Sequence, residues 1–456
     1  MVADMEPTAP PSPGDAPAAD DNALLQFLSA SPTPYHAAEH AAQRLDELGF
    51  TCLDEAERWQ LETGRNYYVM RAGSALLAFR IGHEAPAEGG FRVLSAHLDS
   101  PSLKLKLRGA ERHGDLCRVP IEVYGGPILS TWLDRELGIG GRLMVRSASG
   151  EIHPLLVKTE EPVATIPNVA IHLNREVNKG FEYNAQDHLA ALVNCGSPES
   201  TPEPGSRFPK AAGELATFLA ELVGVAVDAV LGWDLSLWDT APARPLGPGA
   251  QLYSGGRLDN LVGSWTAVEA LGTSAAGRAT QVLALFDAEE VGSRAGPGAD
   301  SAFLEGVLSR IVTALGGDSE DYHRAMARSE LVSNDAAHAM HPSYSAKYDP
   351  DYSPVLGRGP AVKLNAKLRY ATSASGAARV VRGAEAAGVA LQYLSTRSDM
   401  RSGSTIGPFG WARTGIDPVD IGVPILAMHS IRETGDLRDA RAMVTLQQAL
   451  LTDRPD

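Results

Sequence analysis

Residues 259–290 read DNLVGSWTAVEALGTSAAGRATQVLALFDAEE, and the stretch changes period halfway. From Asp259 to Gly272 the apolar residues recur at helical spacing, with an acid at the start. After a Gly- and Ser-containing break, Val282 to Phe286 forms an unbroken apolar run that ends in acids, among them the neighbours Glu289 and Glu290. That run predicts a strand leading into a turn. Helix alternating with strand is the pattern of an α/β sheet.

Further along, DSAFLEGVLSRIVTAL (300–315) predicts a helix, and KLRYATS (367–373) and PILAMHS (424–430) read as strand segments near loops. Upstream, NALLQFLSASPTPYHAAEHAAQRLDELGF (22–50) has helical spacing at Leu24, Leu25, Phe27 and Leu28. A Pro-containing break follows, and then a second helix from about Tyr35 to Leu48. NYYVMRA, ALLAFRI and FRVLSAHLD (66–99) predict strands. From about Leu103 to Trp238 the character changes to many short β-like pieces, such as LCRVPIEVY, GRLMVRS and IHPLLVK. The expected organisation is a β-rich domain, 103–239, inserted into an α/β domain of 22–102 and 240–456. Residues 1–21, rich in Pro, Ala and acid, predict a disordered tail. The stretch NCGSPESTPEPGSRFPKAAG, around 195–212, reads as an exposed loop.

A chain of 456 residues suggests two to three domains. The net charge of −16 is spread along the chain, which argues against nucleic acid or an anionic membrane as main partner. Cys52, Cys117 and Cys195 are far apart and odd in number. A disulfide framework or thiolate zinc site is not expected, and a reducing compartment is. No apolar run reaches membrane-spanning length, and the N-terminus lacks the order of a signal peptide, so the cytoplasm is the expected location.

Five segments carry acids or histidines at element ends. VLSAHLDSPS places His97 at a strand end with Asp99 two residues on, the spacing by which a carboxylate can orient an imidazole. GGRLDNLVG opens a helix with Asp259, and ALFDAEEVGS carries Glu289 and Glu290. LVSNDAAHAMHP carries Asp335, His338 and His341, and ILAMHSIRE carries His429. Each alone has a bland reading: a chance pair, a helix cap, a solvated strand end, a core histidine. Together they supply the mixed His and carboxylate ligands that two close divalent cations need, with one carboxylate to bridge and one left free to take a proton from water.

The chain also resembles the M18 metallopeptidases, and among them the aspartyl aminopeptidases. The matching words are SASPTPYHA, SAHLDSPSLKLK, YGGPILSTWLDRELGIGGR, SGGRLDNL, FDAEEVGS, SNDAAHAMHPSY, VKLNAKLRYAT, SGSTIGP and LAMHSIRE, which run in family order from about residue 29 to 434. The resemblance implies a catalytic α/β sandwich with a mixed sheet and an inserted β-rich dimerisation domain. It implies that His97 and Asp335 ligate one ion, that Glu290 and His429 ligate the other, and that Asp259 bridges them. Glu289 would be the general base and Asp99 the residue that orients His97. His172 would reach a neighbouring active site within a tetrahedral dodecamer, and Lys363, Tyr370 and His338 would contact the substrate. The implied substrates are peptides with N-terminal Asp or Glu. The implied cofactors are two divalent ions, zinc first, with manganese or cobalt able to occupy the same ligands. RSDMRSGSTIGP departs from the family pattern at Met400 and Arg401, and the Pro/Ala tail precedes the family's usual start. Two other classes fit the sequence: a two-metal aminopeptidase for neutral or apolar N-termini, and an assembly protein with weak catalysis. A serine hydrolase fits poorly, since no GxSxG elbow is present.

Overall fold

The computed structural model describes residues 19–194 and 210–452. A nine-stranded mixed sheet forms the centre of the α/β part. Its strands lie in the order Thr51–Cys52, Asn66–Arg71, Ala75–Arg80, Thr280–Phe286, Phe91–His97, Glu330–Asn334, Asp417–Gly422, Ala361–Leu364 and Gln392–Ser395. The Thr280–Phe286 strand is buried along its whole length, as its apolar run requires. Leu283 and Leu285 enter one core, and Val282, Ala284 and Phe286 enter the other. The first core is closed by helices Ala19–Ala30, Pro34–Glu47, Leu258–Thr273, Ala374–Ala387 and Leu437–Leu451. The second is closed by Phe303–Ala314, Ser319–Ala327 and Gly407–Thr414. The result is a sheet between two helical layers.

The chain leaves this sheet at His97 and enters a second one at Ser102. That sheet is built from residues between Ser102 and Asp239 around the long antiparallel pair Leu137–Arg146 and Val230–Asp239. It has its own apolar core, which the Lys210–Leu222 helix closes with Leu215 and Leu219. A small three-stranded sheet, Arg244–Leu246, Leu252–Gly255 and Glu433–Asp436, returns the chain to the α/β part.

Several expectations need correction. The first helix starts at Ala19, not Asn22, and Asp21 is buried in an ion pair with Arg441 that ties the helix to the C-terminal one. The rest of the expected tail, 1–18, lies outside the described residues, as does 195–209 of the expected loop; helix begins at Lys210. LCRVPIEVY is two strands, Leu116–Val119 and Ile121–Tyr124, split at Pro120, which lacks the N–H a ladder needs. KLRYATS is not a strand. The strand is the preceding Ala361–Leu364, after which the Asn365 side chain accepts from the amides of Lys367 and Arg369 and closes a turn. PILAMHS is extended only as far as Leu426, which bridges to Thr434, because Ala427 and His429 take left-handed backbone angles (φ 59° and 67°). Cys117 is disulfide-bonded, against the expectation of reduced thiols, whereas Cys52 is free and exposed.

Candidate metal centre

Three parallel strands set the stage. Phe91–His97 lies between Thr280–Phe286 and Glu330–Asn334, paired in parallel with both. Their carboxyl ends therefore share one edge, where loops of α/β sheets collect chemistry. His97 ends the first strand, the Glu289–Val291 turn follows the second, and Asp335 follows the third. Asp259 comes from the first turn of the Leu258–Thr273 helix, and His429 from the loop after Pro424–Ile425.

Asp259 sits between the two imidazoles. Its Oδ1 is 3.4 Å from His97 Nε2, and its Oδ2 is 3.3 Å from His429 Nε2. His97 Nε2 also faces Asp335 Oδ2 at 3.8 Å, and His429 Nε2 faces Glu290 Oε2 at 3.4 Å. Among the described residues, three groups have ligand atoms close enough to hold a cation: His97–Asp259–Asp335, Asp259–Glu290–His429, and His97–Glu289–Glu290. Asp259 Oδ1 and Glu290 Oε1 are buried and, among the described residues, have no hydrogen-bond partner. Buried carboxylate oxygens without donors are costly unless a cation meets them, so this donor set fits divalent ions.

The charges strain one another in the protein alone. Burial pushes the Glu289 carboxyl up to about 8, with Asp335, Asp99 and Asp259 adding to the rise and His97 opposing it. Burial, then Asp259, drives Glu290 well above the carboxylate range. Burial would lower the His429 pKa, but its hydrogen bond to Asp259 and the charges of Glu290 and Asp259 raise it to about 10. These are the directions expected of acids crowded in a dry site without their counter-ions.

Side chains behind the cluster fix its backbone. The Asp99 carboxylate does not meet the His97 ring closely: Oδ1 is 3.5 Å from Nδ1, whereas the Asp99 carbonyl lies at 3.0 Å. Its oxygens instead accept from the amides of Glu289 (3.0 Å) and Glu290 (3.1 Å), so the carboxylate that was expected to orient an imidazole anchors the glutamate turn. Glu433 does the same elsewhere, accepting from Asp259 N at 3.1 Å and His429 N at 2.8 Å. Lys363 is 2% exposed, and its ammonium donates to Asp335 Oδ1 (2.9 Å), Asp335 O (3.1 Å) and Ala336 O (3.0 Å).

Lys363, Tyr370 and His338, the residues expected to contact the substrate, line the same cavity of about 410 Å³ as the cluster. The Lys363 donors are already taken, however, so its direct partner in the protein is Asp335. Arg369, which sequence reading passed over, also lines the cavity and is exposed. Glu433 was likewise passed over; the signal available was an acid four residues after His429 within a matching word. His172 lies away from this cavity lining, on a turn flanked by exposed Ile171 (48%) and Leu173 (79%).

Comparison with known proteins finds relatives along nearly the whole chain. The family model for aminopeptidase I zinc metalloprotease (M18) matches residues 27–450. A probable M18 family aminopeptidase 2 of Stutzerimonas stutzeri (strain A1501) is 42% identical over 422 residues, covering 92% of this chain and 95% of the relative. Among solved structures, Ape4 from a cryo-EM complex with Nbr1 superposes with a TM-score of 0.91 at 35% identity, covering 94% of this chain and 85% of that one. The S. cerevisiae mApe1 dodecamer gives a TM-score of 0.81 at 28% identity, covering 94% and 95%. The strand-end cluster and the match along the whole catalytic chain lead to one conclusion: this chain belongs to the M18 family of zinc metallopeptidases and is an aminopeptidase.

Proposed function

We propose that the protein removes single acidic residues, Asp or Glu, from peptide N-termini with a pair of divalent cations, zinc first among them. The observation that carries the reading is the two-sided placement of Asp259, one oxygen toward each imidazole. His97 and Asp335 would hold one ion, Glu290 and His429 the other, and Asp259 would bridge. When bound, such ions bring the pKa of a water toward neutrality and polarise a carbonyl. Glu289 stands beside the cluster and is left over once Asp259, Glu290, Asp335 and the two histidines are assigned to the ions, so it suits a group that takes a proton from the attacking water and returns it to the leaving amine.

An acidic substrate side chain is favoured by Arg369, an exposed cation on the cavity lining beside Tyr370 and His338, whereas Lys363 is committed to Asp335. The second sheet is proposed to carry subunit contacts in a dodecamer, which the exposed apolar residues around His172 support. In that assembly His172 would serve a neighbour's site.

The test is hydrolysis of Asp-, Glu-, Leu- and Lys-linked chromogenic amides, before and after chelation and after re-addition of zinc or manganese. Selective, chelator-sensitive turnover of the Asp and Glu amides is expected. Preference for the Leu amide would transfer the protein to the neutral class, and turnover indifferent to chelation would end the two-cation reading.

A further inference from the structure

We propose that residues 124–131, where the chain leaves the second sheet, are a working part of the metal centre, with Tyr124 a positioning residue for Glu289 and Glu290. The inference rests on the two-cation reading above and deepens it. The segment begins at the end of the Ile121–Tyr124 strand. There the Tyr124 hydroxyl donates to Asp99 Oδ2 at 2.8 Å. The same carboxylate accepts the amides of Glu289 and Glu290. Tyr124 therefore fixes the anchor from which the base and one ligand hang. That turn needs an anchor, because Ala288 just before it sits at φ 63°, where a β-carbon is unfavourable.

The segment next passes beside Glu290. A β-carbon on Gly125, at φ 71°, would stand 3.1 Å from Glu290 Cβ and 3.4 Å from its Oε2, so the close pass depends on glycine. One residue further, the Gly126 carbonyl lies 3.0 Å from His429 Nδ1. A metal-binding histidine gives its other ring N–H to such an acceptor, and here that leaves Nε2 facing Asp259 and Glu290. Ile128 N then donates to the His429 carbonyl at 2.9 Å, and Thr131 Oγ1 accepts from Ile431 N at 3.0 Å. His429 sits at φ 67°, so its left-handed backbone is held from this side as well as by Glu433.

This one stretch thus touches the supports of the base and of both His429-side ligands. Dense packing alone does not require this set of contacts, since each hydrogen bond ends on a ligand residue, its neighbour or its carboxylate anchor. The second sheet consequently completes the site within its own chain, in addition to any role between subunits.

The test compares the full-length protein with Tyr124→Phe and Thr131→Val, which break opposite ends of the segment. Zinc affinity is read by chelator competition, and kcat and KM by the Asp amide assay. Removal of an outer support of metal ligands typically weakens metal binding or activity by roughly ten- to a hundredfold. Tyr124→Phe is expected to lose that much in kcat and in zinc affinity, with KM nearly unchanged. Thr131→Val is expected to weaken zinc binding in the same direction. A role in packing alone would lower thermal stability and leave zinc affinity and kcat as in the wild type; that result in both variants overturns the proposal. Zinc competition needs no turnover, so a failure of the acid-selective reading leaves this test standing.

Discussion

Asp259→Asn isolates the charge that the site geometry depends on. The substitution keeps the size and backbone of the side chain but removes one negative charge and one acceptor. Four carboxylates, Asp259, Glu289, Glu290 and Asp335, surround the two imidazoles. Their formal −4 would balance the +4 of two divalent cations. One unit charge against a divalent one at about 4 Å, with an effective dielectric near 20, is worth roughly 8 kcal/mol. If solvent compensates about half of it, the loss weakens each ion by about a thousandfold. The metal-free protein should respond far less. Asp259 attracts His97 and His429 but also crowds Glu289, Glu290 and Glu433, so lost attraction and relieved repulsion offset one another. In the wild type, zinc at about a hundred times its Kd should add roughly 2.7 kcal/mol of stability. For a chain of 456 residues that corresponds to a rise of roughly 3 °C in melting temperature. The variant should melt close to the chelated wild type with or without zinc, and should carry fewer than two ions per chain after gel filtration. A full complement of two ions in the variant, or an equal zinc-induced rise in both proteins, would refute the bridging role.

Glu289→Gln should keep fold and metal content while turnover of the Asp amide falls by about a hundredfold or more, the usual share of a proton-transferring group. Near-normal turnover removes Glu289 from that role. Lys363→Met strips three hydrogen bonds from the Asp335–Ala336 backbone and carboxylate. Breaking a buried pair in this way should cost the chelated protein about 3–5 kcal/mol in urea unfolding; a change within error would mean that water replaces the ammonium. His36 is buried beside Thr33 Oγ1 at 2.8 Å, and burial, followed by the charges of His40 and Lys158, lowers its pKa to about 3. Because the unfolded chain binds the proton more readily, the stability this neutral ring contributes is present above about pH 6.5 and is lost as pH falls toward 3. A His36→Gln variant should therefore lose stability less steeply across that window in pH-dependent melting, and identical slopes would contradict the assignment.

Much of the framework was legible in the chain itself. The unbroken run before Asp287 and the alternation of helix with strand come from local periodicity, which a sequence displays directly. The candidate ligand residues were visible as well, because metal chemistry restricts side-chain type and strand ends restrict position. Contacts between distant segments were hidden. The disulfide at Cys117, the ion pair of Asp21 with Arg441 and the start of the first helix at Ala19 depend on neighbours that sequence separation does not reveal. KLRYATS has the composition of a strand, yet the Asn365 side chain captures its backbone amides and turns it away from the sheet.

What the sequence by itself determined was the inventory: two imidazoles, four carboxylates and the elements that carry them. Only the tertiary structure decided their arrangement. Parallel pairing of three strands brought His97, the glutamate turn and Asp335 to one edge. Folding also set Asp259 between two rings, committed the Lys363 donors to Asp335, and carried Tyr124 from a separate sheet to the Asp99 carboxylate. Side-chain identity is a local property, whereas the partner each polar group finds once buried depends on which distant backbone the packing delivers to it.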